Sequence, residues 1–105
     1  MPNRRSHRVA SPKVVITGAA SGIGRATAVA FAQAGAELYL LDVNATALEA
    51  IAHELGDSVR HRAVVDVASR QAMRTFAAEV HEKAGGAVDV LINNAGVAHT
   101  GGIDQ

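Results

Sequence analysis

Thr17-Gly18-Ala19-Ala20-Ser21-Gly22-Ile23-Gly24 decides how the rest of the chain is read. Before it stand Lys13-Val14-Val15-Ile16-Thr17, apolar without alternation, which predicts a strand buried on both faces. After it, Ile23, Ala26, Thr27, Ala30, Phe31 and Ala34 recur at the spacing of one helix face, and Gly35 stands where a helix needs a left-handed C-terminal cap. A strand, a glycine-rich turn and a helix N-terminus are the elements that hold a phosphate, because backbone N–H groups then point at the anion with the helix dipole behind them. Glycine belongs where the backbone turns tightly or where a Cβ would obstruct a ligand.

Spacing separates this loop from three other glycine motifs. A P-loop needs a second Gly after four intervening residues, followed by Lys and Ser or Thr, but Ile23 holds that position and no Lys follows. A nucleophile elbow needs Gly two residues before and after its Ser, whereas Ser21 has Ala19 and Ile23 there. The Gly-x-Gly-x-x-Gly fingerprint is also absent, and the pattern is Gly-x-x-x-Gly-x-Gly.

Working outward, Glu37–Asp42 reads as a second strand, and Asn44 as the N-cap of a helix with Leu48, Ile51, Ala52 and Leu55 inward, closed by Gly56. A third strand lies within Val59–Val67 and includes Ala63-Val64-Val65. Ser69 can cap a third helix with Met73, Phe76, Ala77 and Val80 inward, ended by Gly85-Gly86. Val88–Ile92 is the fourth strand, running into Asn93-Asn94-Ala95-Gly96, and Val97 to Gln105 read as loop. The order β-α-β-α-β-α-β predicts an α/β fold, with helices on both faces of a parallel sheet.

The 105 residues hold 10 basic and 10 acidic groups, so the formal charge is zero. Arg4, Arg5, Arg8 and Lys13 crowd into the first 13 residues without an acid, which leaves −4 on the remainder. Residues 1–12 therefore read as a basic, disordered tail. Four charges with no aromatic and no reading motif give little support to a nucleic-acid arm. The segment lacks the apolar stretch of a secretory signal, and no run approaches the ~20 apolar residues of a membrane span. With no Cys there is no disulfide or thiolate chemistry, which fits a reducing, cytoplasmic setting.

Four features together resemble the short-chain dehydrogenase/reductase family. They are the loop Thr17–Gly24, an acid ending the second strand at Asp42, Asp66-Val67 ending the third, and Asn93-Asn94-Ala95-Gly96 ending the fourth. The resemblance covers residues 13–105. It implies a Rossmann-like, doubly wound parallel sheet of strand order 3-2-1-4, cut short after its fourth strand. It further implies that Gly18, Ser21, Gly22, Ile23 and Gly24 lie along a dinucleotide pyrophosphate. Asp42, 18 residues past Gly24, would bind the adenosine ribose hydroxyls, and Asp66 and Val67 the adenine edge. Asn93, Asn94, Ala95 and Gly96 would pass beside the ribose and help fix the sheet centre. Local alternatives stand beside these roles: Asp42 as a strand-end turn residue, Asp66 as a helix cap, Asn93-Asn94 as a turn.

The cofactor expectation is NAD rather than NADP. A 2′-phosphate would place about two negative charges beside Asp42, Val43 is not a basic residue, and Ser21 before the second glycine is not basic either. Arg25 reads as a solvated helix residue. The family's proton-transfer set, a Tyr with Lys four residues on plus Ser and Asn, has no match. The single Tyr, Tyr39, has Val43 at that spacing, and the two lysines are Lys13 and Lys83. His7, His53, His61, His81 and His99 show no metal spacing. The expectation is an NAD-binding portion, itself inactive, of an oxidoreductase acting on an alcohol or ketone. The longer protein would be a homo-oligomer by family resemblance. The alternative is a non-catalytic dinucleotide-binding module or partner subunit.

Overall fold

The computed structural model describes residues 11–97. Residues 1–10 of the expected 1–12 tail and residues 98–105 of the expected Val97–Gln105 loop lie outside them. The chain runs β1 (Lys13–Thr17), α1 (Gly22–Gln33), β2 (Glu37–Asp42), α2 (Ala45–Leu55), a 3₁₀ turn (Gly56–Ser58), β3 (Val59–Val64), α3 (Arg70–Ala84), β4 (Val90–Asn93) and a helical turn α4 (Asn94–Val97). The four strands are parallel in the order β3-β2-β1-β4. Val14 stands between Leu38 and Val90, and Thr17 between Leu41 and Asn93.

The unbroken apolar runs of β1 and β2 follow from their central position. Val14, Ile16, Leu38 and Leu40 pack against Ala28 of α1 and Leu48 and Ile51 of α2. Val15, Tyr39 and Leu41 face the other way, onto Phe76 and Val80 of α3. Both faces are covered, so neither strand alternates. Burial pushes the Tyr39 phenol above its ordinary range, and the Glu37 carboxylate acts in the same direction. Asn44 accepts the Ala47 N–H at 2.9 Å and Ser69 the Ala72 N–H at 3.1 Å, so both expected caps form.

Four expectations are corrected. Of the α1 stripe Ile23, Ala26, Thr27, Ala30, Phe31 and Ala34, Phe31 packs against the core, but the stripe as a whole is not the inward face. Ile23 is 74% exposed, Ala26, Ala30 and Ala34 are exposed, and the buried residues are Gly24 and Ala28. An Ala- and Gly-rich helix is apolar on more than one side, so periodicity does not select a face, whereas the closest backbone approach does. Ala77 of α3 is exposed and lines a groove with Leu91 of β4. The third strand ends at Val64 and the fourth begins at Val90 and extends to Asn93, so Asp66-Val67 lie in a loop beyond β3. Val97 closes a helical turn instead of opening a loop.

The two sheet edges differ in chemistry. On β3, Arg62 bonds Glu49 through Nε at 2.9 Å, and Arg60 lies 3.9 Å from Glu37. Such charges discourage edge-to-edge pairing. β4 reads Val90-Leu91-Ile92-Asn93, carries no charge, and pairs only with β1 among the described residues. Leu91 is 64% exposed and borders an apolar groove of about 280 Å³ with Val15, Met73, Phe76, Val80 and Val88. Leu91→Lys is expected to lower concentration-dependent self-association of the chain in sedimentation velocity with its helical circular dichroism unchanged. Equal association of both proteins would show that this edge does not mediate it. No helix among the described residues is long and apolar enough to cross a membrane.

Candidate functional site

Parallel strands deliver all four carboxyl ends to one rim of the sheet, where ligands of open α/β sheets bind. A cavity of about 490 Å³ opens there. Gly18, Ser21, Gly22, Ile23 and Gly24 line it from the loop between β1 and α1. Asp42 reaches it from the end of β2, Asp66 and Val67 from beyond β3, and Asn94 and Ala95 from beyond β4. Ten of the twelve residues expected from the sequence thus share one wall. Asn93 does not line it, and Gly96 lies within α4. Leu41, Val43 and Val65, which the sequence reading left out, complete the lining.

The three loop glycines are required for three different reasons. Gly22 has φ +56°, a left-handed conformation that side chains resist, and a Cβ there would meet nothing within 4 Å. Gly18 has φ +63°, and its Cβ would lie 3.0 Å from the Ala95 nitrogen of α4. Gly24 is helical, but a Cβ on it would fall 1.8 Å from the Gly18 carbonyl oxygen. Glycine therefore lets α1 begin directly against its own loop. Ser21 caps α1 in an extended conformation without a side-chain capping bond. The first-turn N–H groups of α1 have no acceptor within the helix, and the helix dipole adds partial positive charge there. The chemistry of this corner suits an anion.

Three polar side chains organise the rim. Asp42 is 9% exposed, and its Oδ2 and Oδ1 accept the N–H groups of Ala20 and Asn44, each at 2.9 Å. Asp66 is exposed, and its Oδ1 accepts the Ala68 N–H at 2.9 Å, a local turn that draws the chain off the ladder after β3. Ser69, not Asp66, accepts the capping bond of α3. The third is Thr17, buried at the end of β1. Its hydroxyl donates to Asn93 Oδ1 at 2.9 Å and accepts the Ala95 N–H at 3.0 Å, joining β1 to β4 and α4. The sequence motif alone assigns Thr17 no role; a hydroxyl ending a buried apolar strand is the signal that it needs partners. Asn94 Nδ2 is buried with no hydrogen-bond partner among the described residues. Arg25, next to Gly24, is ion-paired with Glu54 of α2. No three His, Asp or Glu side chains gather as a metal site among the described residues.

A model of the short chain dehydrogenase family matches residues 12–105. Galactitol 2-dehydrogenase (L-tagatose-forming) of Cereibacter sphaeroides is 43% identical over 98 residues, covering 93% of this chain and 38% of that protein. D-threitol dehydrogenase of Mycolicibacterium smegmatis is 46% identical over 89 residues, covering 80% of this chain and 33% of that protein. Among solved structures, 3-ketoacyl-(acyl-carrier-protein) reductase from Brucella melitensis complexed with NADH superposes with a TM-score of 0.71 at 30% identity, covering 76% of this chain and 32% of that one. The chain thus spans about a third of the length of these relatives.

Proposed function

Because the chain belongs to the short-chain dehydrogenase family, we propose that it is the NAD-binding portion of an oxidoreductase that transfers hydride between NAD(H) and an alcohol or ketone. One observation carries this reading: ten separately expected residues from four strand ends converge on a single cavity. The relative bound to NADH supports the same class of cofactor.

The residues fit the group in a definite way. Gly18, Ser21, Gly22, Ile23 and Gly24 would lie along the pyrophosphate, where the first-turn N–H groups of α1 face an anion. Asp42 would accept from the ribose hydroxyls with the lone pairs its backbone bonds leave free, since a carboxylate offers about four acceptor positions. Asp66 and Val67 would hold the adenine edge, while Asn94, Ala95 and Gly96 would border the ribose. Asn93 would act from behind, by fixing Thr17 and the sheet centre. The nicotinamide supplies or accepts the hydride. The Ser, Tyr and Lys that the family uses to position the carbonyl and move the proton are not matched among the 105 residues, so turnover would belong to a longer polypeptide.

Preference for NAD follows from charge. A 2′-phosphate beside Asp42 would bring like charges together where little water screens them. Val43 cannot compensate, and the Arg25 guanidinium is engaged by Glu54. Calorimetric titration of the 105-residue chain is expected to give binding at least about tenfold tighter for NAD⁺ than for NADP⁺, each factor of ten being about 1.4 kcal/mol, with no alcohol-dependent NADH formation. Equal affinities would overturn the preference. Absence of binding by either nucleotide would overturn the reading itself.

A further inference from the structure

Asp42 does more than end a strand. Its two carboxylate oxygens are committed to two different segments. Oδ2 takes the N–H of Ala20, which immediately precedes Ser21, the N-cap of α1. Oδ1 takes the N–H of Asn44, the N-cap of α2. The Asp42 carbonyl accepts the Val65 N–H at 3.1 Å, which ties in the chain leaving β3. One buried side chain thus sits where the glycine loop, the α2 entry and the β3 exit meet. Thr17, at the end of the neighbouring strand β1, is likewise a buried polar residue.

A second feature makes this joint matter for the loop. Ala20 lies between Gly18 and Gly22, both with positive φ, so the loop has two permissive hinges and little intrinsic preference of its own. Its tertiary backbone anchors include the Ala19 N–H on the Leu41 carbonyl at 3.2 Å and the Ala20 N–H on Asp42 at 2.9 Å. The second is charge-assisted, shorter and buried, and is therefore the stronger constraint.

We infer that Asp42 is a positioning residue for the glycine loop, so that the group facing the ribose also sets the shape of the pyrophosphate cradle. The ribose part rests on the reading given above, and the loop part rests on the hydrogen bonds alone. Asparagine in place of Asp42 keeps the shape but can accept at one end only. Its Nδ2 would oppose an N–H, leaving Ala20 or Asn44 without an acceptor. The same substitution removes a negative charge next to an anionic ligand. A side chain acting only by charge would therefore make diphosphate binding tighter, and a positioning residue makes it weaker.

The test compares ADP with 2′,3′-dideoxy-ADP, which keeps the diphosphate and lacks the ribose hydroxyls. It uses the 105-residue chain and its Asp42→Asn variant, at a temperature where both are folded. The expected result is that Asp42→Asn weakens both ligands, dideoxy-ADP by about tenfold, the size of effect an unsatisfied buried donor produces. Amide exchange at Ala20 is expected to accelerate in the ligand-free variant. Unchanged or tighter dideoxy-ADP binding overturns the positioning role and leaves Asp42 as a ribose ligand only. Were the wild-type chain to bind neither ligand, the cofactor reading would fail and Ala20 exchange would still decide: unchanged exchange overturns the inference. Were Asp42→Asn not to fold, a through-hydrogen-bond coupling between the Ala20 nitrogen and the Asp42 carboxyl carbon in the wild-type chain would decide, its absence overturning the inference.

Discussion

Gly24→Ala is expected to abolish the cooperative thermal transition of this chain, followed by circular dichroism. The added Cβ would lie 1.8 Å from the Gly18 carbonyl oxygen and 2.7 Å from its carbonyl carbon. Both obstacles are backbone, so no rotamer change relieves the overlap. Relief requires α1 to slide off the loop or the loop to move. Either movement opens the contact of Ala28 and its neighbours with β1 and β2. Overpacking commonly costs about 1–3 kcal/mol where side chains can give, and here they cannot, so a loss above about 3 kcal/mol is expected. A chain of this length holds only a marginal reserve. Gly22→Ala is the control. Its Cβ meets nothing, and the cost is that of the left-handed conformation, about 1–2 kcal/mol. A Gly24→Ala protein that melts within a few degrees of wild type would contradict the packing described for α1.

The second large effect is expected at Thr17. Thr17→Val keeps the volume and removes the hydroxyl, so the Ala95 N–H and Asn93 Oδ1 each lose a partner at a part-buried site. The Ala95 N–H left without the Thr17 acceptor costs about 1–3 kcal/mol, and a loss of that size is expected in denaturant unfolding. Thr17→Ser keeps the hydroxyl and is expected to recover most of the loss, within about 1 kcal/mol of wild type, the residue being one buried methyl. If Val and Ser proved equally stable, the hydroxyl would not be what joins β1 to β4. The loss should be accompanied by weaker NAD⁺ binding, because Ala95 lies on both the Thr17 bond and the cavity wall.

Both predictions concern positions that were already visible as letters, yet their reasons were not. The glycine pattern announced a phosphate-type loop, but it could not say that Gly24 serves the packing of loop on helix whereas Gly22 serves a left-handed turn. Asp42 was legible as an acid at a strand end. That its two oxygens hold Ala20 and Asn44 depends on how β2 lies beside the loop. On α1, alanine carries little amphipathic signal, and the side of Gly24 and Ala28 faces inward, with Phe31 the apolar member of the apparent stripe that packs against the core. The family resemblance puts Asp66 at the end of the third strand, whereas pairing stops at Val64 and the Asp66 carboxylate accepts the Ala68 N–H in a local turn.

Taken alone, the sequence determined the element order and the parallel α/β class, while the cofactor-site candidates are what resemblance to the family implies. The order and class depend on local periodicity, glycine spacing and strand-end residues, all of which act within a few positions of the chain. The 3-2-1-4 order came from resemblance to relatives and is observed in the sheet. Only the tertiary structure decided which face of α1 is buried, that β3 is held by ion pairs to neighbouring elements, and that Thr17 and Asp42 are junctions. The two junctions join backbone N–H groups to side chains 22 and 78 residues away. No local pattern encodes such distances, because they exist only once the strands have paired.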